Sequence, residues 1–114
     1  MEPVFIGQCV TFVDSHGQSH DALITNVFGY LSKKEQDQHY RDTFEMQKNN
    51  EWCTQEWLER SLALEWKPPS LNLVYVSGDK TQTDPYGTQL AQRPTSIVHQ
   101  SVQTAHGMYW LHKQ

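Results

Sequence analysis

The sequence predicts a mainly β domain: a small half-open β-barrel of about five strands, interrupted by one inserted α-helix. Three observations lead there. Short runs of β-branched and aromatic residues recur along the 114 residues, each bounded by Gly, Pro or Asp-led turn signals. One long stretch, at about 30–69, abandons that pattern, first for charged and amide side chains and then for good helix formers. The length, with no internal repeat and no low-complexity tract, fits a single domain over residues 1–114.

The elements follow in order. Val4-Phe5-Ile6 is a short apolar run closed by Gly7, and Cys9 to Val13 is the first strand. Asp14-Ser15-His16-Gly17 is a hairpin turn signal, with Gly able to supply positive φ. His20 to Phe28 is the returning strand; its apolar residues fall on both sides, which predicts burial on more than one face. From Tyr30 to Asn50 charge and amide dominate, which predicts a surface excursion ordered by a partner or by none. Cys53 to Glu65 reads as the single helix, capped by Asn50 or Thr54. Trp57, Leu58, Leu62 and Trp66 form its partial stripe, and Lys67-Pro68-Pro69 ends it. Leu71 to Val76 is the most strand-like run, and Thr95 to His99 is a second β-prone run. The polar loop between them carries an Asp84-Pro85-Tyr86-Gly87 turn. Gln100 to Ala105 reads as loop, and Gly107 to Leu111 as a final aromatic strand.

Composition narrows the partners. A net charge of -4 argues against holding duplex nucleic acid, which needs clustered Lys and Arg, but leaves room for a small anion held by two or three donors. No run approaches the ~18–20 apolar residues that cross a bilayer, so no membrane partner is expected. Cys9 and Cys53 read as two reduced thiols of a cytoplasmic protein.

Two stretches resemble known families. Residues 7–29 (GQCVTFVDSHGQSHDALITNVFG) resemble the opening hairpin of SH3-like small barrels of the KOW and Tudor type, which implies fold more than function. LNLVYVSGDKTQTDPYG, TSIVH and AHGMYW together resemble a family of small bacteriophage-encoded proteins, over most of the chain outside 30–69. That resemblance implies a protein of the infected bacterial cytoplasm in one of three roles. These are a virion component, an inhibitor of a host factor, or an oligomeric trap for nucleotide signals of host immunity. It carries over no activity residue by residue.

The candidate site is the polar loop and its flanks. Lys80 and Arg93 suit a phosphate, Tyr86 or Trp110 a base, and the histidines His99 and His106 further contacts. Asp79, Asp84 and Ser96 complete the set. Turn chemistry offers another account: Asp79 and Asp84 cap turns, Arg93 pairs with one of them, and Tyr86 packs on the barrel. The histidines lack zinc-type spacing, so no metal and no cofactor is expected. Ser96 near His99 comes without a nucleophile elbow or phosphate cradle, so no catalysis is expected either. The reading is a non-catalytic phage accessory protein that sequesters a small anionic, nucleotide-like ligand to counter host defence. The alternative is a protein–protein module using residues 30–66, with Trp52, Trp57 and Trp66 at the interface. A homo-oligomer is expected because a thin barrel leaves edges to cover.

Overall fold

The computed structural model describes residues 2–78, 81, 83–102 and 107–113. The chain is mainly β: among the described residues there are one six-stranded mixed sheet, two α-helices and a 3-10 turn at Gln100–Val102. The strands are β1 (Cys9–Val13), β2 (Ser19–Phe28), β3 (Ser70–Val76), β4 (Ala91–Gln92), β5 (Val98–His99) and β6 (Tyr109–His112). They lie in the order β4-β3-β2-β1-β6-β5, antiparallel throughout except where β5 runs parallel to β6. The sheet is not closed. Its two ends are nonetheless drawn together, because the chain after β4 keeps tracking β3: Leu73 N donates to Pro94 O (3.0 Å), and Leu71 and Ile97 exchange two bonds of 2.8 Å. Ser96, at φ 55, bends the chain between the Pro94 and Ile97 contacts, and β5 then joins β6. Asn72 Oδ1 holds the bend by accepting from Ser96 N at 2.9 Å.

Strand alternation builds the core. Val10 and Phe12 of β1 face Ala22 and His20 of β2, and Trp110 of β6 sits opposite Phe12. Leu71 and Leu73 of β3 complete the inward row, with Val4, Ile24, Trp66 and Ile97. β2 was expected to be buried on both sides; in fact Leu23 and Thr25 are exposed while Ala22 and Ile24 are buried. A register shift between Ile24 and Asn26 then reverses the phase, so Val27 packs inward instead of Asn26. An irregularity of this kind adds a residue to one strand and swaps its faces.

The insertion differs most from expectation. Residues 33–47 form a helix, α1 (Lys33–Gln47), and α2 (Gln55–Leu62) follows it, so there are two helices rather than one helix and a loop. Ser32 caps α1 by accepting from Glu35 N, and Thr54 caps α2 by accepting from Trp57 N. The pairs Lys33–Asp37, Gln38–Asp42 and Lys48–Glu45 support α1 along its surface. The two helices pack mainly on each other and stand off the sheet. The molecule therefore measures 63 × 26 × 23 Å, and its radius of gyration is 18.3 Å, against about 13 Å for a compact chain of this length.

The root of this arm is fixed by polar groups that reach across 29 to 41 residues of chain. Gln36, 2% exposed, behaves like a piece of backbone: its Nε2 donates to Glu65 O (3.0 Å) and its Oε1 accepts from Lys67 N (2.9 Å). Lys33 Nζ donates to Leu62 O at 2.9 Å, where the C-terminal carbonyls of α2 carry partial negative charge. Trp66 Nε1 donates to Tyr30 O (3.0 Å), and Trp110 Nε1 to Pro69 O (2.9 Å). A chain of rings (Tyr30, His39, Tyr40, Trp57 and Trp52), with successive centroids 5.2–6.1 Å apart, runs up the arm. Cys9 and Cys53 are both free thiols. Among the described residues no helix is long and apolar enough to cross a membrane.

Candidate functional site

The inward row of side chains ends at the β1–β2 turn, and there it opens to solvent. The turn itself is built by Asp14. Its N donates to Gln18 O, and Gly17 N, at φ 79, donates to Asp14 O (both 2.9 Å). Asp14 Oδ1 accepts from His16 N and Gln18 N, each at 2.9 Å. The Asp84 turn repeats all four bonds: Asp84 N to Thr88 O, Gly87 N to Asp84 O, and Tyr86 N and Thr88 N to Asp84 Oδ1. Both are three-residue hairpin loops that need a glycine in the left-handed region.

Asp14 has a further partner, which Asp84 lacks among the described residues. Its Oδ2 accepts from His20 Nε2 at 2.8 Å, with both side chains mostly buried. The bond from His20 holds the Asp14 carboxyl below its ordinary pKa, burial opposes this, and the backbone bonds from Gln18 and His16 add to it. The carboxylate is thus ionised and its hydrogen-bonding capacity is taken up inside the protein. The His20 ring stacks on Tyr75 (centroids 4.4 Å, 29°), and Phe12 packs against both rings at 5.2 and 6.0 Å. Burial, and then the Asp14 charge, raise the Tyr75 phenol, which keeps it protonated at neutral pH.

These groups line a cup of about 470 Å³, to which Gln92, Arg93 and Met108 also contribute. Arg93 is exposed, and among the described residues it makes no ion pair. A guanidinium that shares a cup with a carboxylate whose oxygens are already bonded is open to an exogenous anion. The flanking ring cluster gives a flat ligand an apolar surface.

Of the expected site residues that lie among the described residues, the structure brings only Arg93 to this cup. Asp84 is consumed by its turn, as the turn-chemistry account has it, and Tyr86 projects from that turn, 92% exposed. Ser96 is the exposed bend residue. Trp110 and His99 do not face a ligand: Trp110 is wholly buried in the core, and His99 is buried against it at 4.6 Å, with Nδ1 bonded to Ser101 Oγ. Asp79, Lys80 and His106 lie outside the described residues. Of the expected interface residues, Trp66 is core, Trp57 is half-buried inside the arm, and Trp52 is exposed. Sequence reasoning missed Phe12, Asp14, His20 and Tyr75 as a unit. The available signal was the hairpin register, which sets His20 opposite Phe12 and in phase with Ala22 and Ile24.

Among the described residues no three of His, Cys, Asp or Glu converge in a way that suits a metal ion. Comparisons with family models, curated proteins and solved structures gave no match.

Proposed function

We propose that this is a non-catalytic accessory protein that captures a small anionic, nucleotide-like ligand in the cup beside Asp14, His20, Tyr75 and Arg93. One observation carries the reading: an arginine that makes no ion pair among the described residues shares a cup with a ring cluster and with a carboxylate already bonded to His20 and two backbone amides. The anion goes to Arg93 and the flat part of the ligand to the rings. The resemblance of the strand sequences to phage-encoded proteins supports an SH3-like half-open barrel working in the cytoplasm of an infected host, where such capture counters defence signalling. The short edge strands β4 and β5 are consistent with a homo-oligomer. Titration calorimetry with nucleotides tests the reading: binding is expected, with Arg93→Ala abolishing it and leaving the circular dichroism unchanged. Absence of binding by the wild type refutes it.

A second reading has its own support. The arm stands clear of the sheet and exposes Met46, Trp52 and Leu64, the kind of side chains found in protein interfaces. On that reading the chain is a protein–protein module, a virion component or an inhibitor of a host factor. Binding to that partner is then lost in Trp52→Ala, and the wild type gives no calorimetric signal with nucleotides.

A further inference from the structure

The same cup has a polar atom with a defined role. Asp14 Oδ2 is an acceptor only, because the carboxyl is ionised, so the proton in the 2.8 Å contact belongs to His20 Nε2. In the neutral ring the other nitrogen, Nδ1, is then a bare acceptor. Among the described residues it has no hydrogen-bond partner, nor is it one of the polar atoms shut away from solvent. His20 lines the cup. Its orientation is locked twice, by Asp14 at one edge and by the Tyr75 ring against its face.

We infer that Asp14 sets the tautomer of His20 so that the cup selects anions carrying an N–H or O–H donor, which His20 Nδ1 accepts while Arg93 holds the charge. The ligand class is an anion with an amino- or amide-bearing heteroaromatic ring, as in an adenine nucleotide. This deepens the capture reading and rests on it. Asp14 is a positioning residue here and His20 the specificity-determining one. The two turns give an internal contrast: they share every backbone bond, yet only the Asp14 turn is followed by an inward histidine within reach of the carboxylate.

The test uses three probes at pH 8: inorganic phosphate, adenosine 5′-monophosphate, and purine riboside 5′-monophosphate, which lacks only the amino group. Wild type is expected to prefer the adenosine nucleotide by about three- to tenfold, the value of one neutral hydrogen bond. In Asp14→Asn the amide oxygen still accepts from His16 and Gln18, but its nitrogen faces His20 Nε2 as a donor. The ring proton then moves to Nδ1, and the preference is expected to vanish or invert. Imidazole ¹⁵N shifts read the tautomer directly: protonated Nε2 in wild type, protonated Nδ1 in the variant. Equal affinity of wild type for the two nucleotides, or for phosphate and either nucleotide, overturns the donor rule and leaves capture standing. A preference unchanged in Asp14→Asn overturns the role of the pair. A wild-type spectrum with the proton on Nδ1 overturns the tautomer whatever binds, and it remains readable if the variant fails to fold. No binding of any probe overturns the capture reading and this rule with it.

Discussion

Replacing Trp110 by Phe separates a core role from a ligand role. The indole is wholly buried, and its Nε1 donates to Pro69 O, itself buried, at 2.9 Å. Phe removes the donor and leaves that carbonyl unpaired, at a cost of about 1–3 kcal/mol. The smaller ring also loses burial and leaves a gap, adding about 1 kcal/mol. The expected loss is therefore about 2–4 kcal/mol, a large part of the ~5–15 kcal/mol that holds a domain folded. With an unfolding entropy of about 0.24 kcal/mol/K for a chain of this length, Tm falls by about 8–17 °C. Urea unfolding followed by far-UV circular dichroism measures the loss, and an unchanged slope m assigns it to the folded state. Nucleotide affinity at 15 °C, where the variant is still folded, should match wild type. A loss below about 0.5 kcal/mol, or lost affinity without lost stability, would refute this account of the ring.

Other expectations follow from the same geometry. Burial, with His112 beside it, lowers the His99 pKa from its ordinary 6.5, so the unfolded chain takes up that proton first. Stability should be level above about pH 6.5 and fall as pH drops through that value; urea midpoints from pH 8 to 5 check this, and His99→Gln should remove the slope. Asp14 acts lower: its pKa is depressed from 3.8, so its contribution is present above that value and is lost as pH falls below it. Asp14→Asn should weaken that acid limb of the profile. Gly29 has φ 135, and a Cβ there would meet Pro69 Cβ at 3.0 Å, whereas at Gly17 a Cβ meets nothing within 4 Å. Gly29→Ala should cost more than Gly17→Ala, about 2–3 against about 1 kcal/mol, compared by urea midpoint. Gln36→Ala leaves Glu65 O and Lys67 N–H without partners. It should cost about 1–3 kcal/mol and speed amide exchange at Lys67; unchanged exchange there would show that the clamp is not holding the arm.

What could be read from the sequence alone was local. The Asp14–Gly17 and Asp84–Gly87 turns are specified by residues a few positions apart, and β1, β2, β3 and β6 by runs of strand formers between breakers. The Thr54 cap of α2 belongs to the same class. α1 was not legible as a helix because no apolar stripe marks it; it is held by a cap, by pairs along its surface, and by Gln36 reaching chain about 30 residues away. The fates of Trp66, Trp110 and His99 were equally hidden, since an aromatic residue in a strand looks the same whether its ring meets solvent or a core. Only the folded sheet decided that. It set His20 against Phe12 and Tyr75, turned Val27 inward past the irregularity in β2, and brought Arg93 to the cup opened by Asp14. The physical reason is one of distance along the chain: turns and caps are satisfied by neighbours, whereas a site is satisfied by residues that only strand pairing brings together.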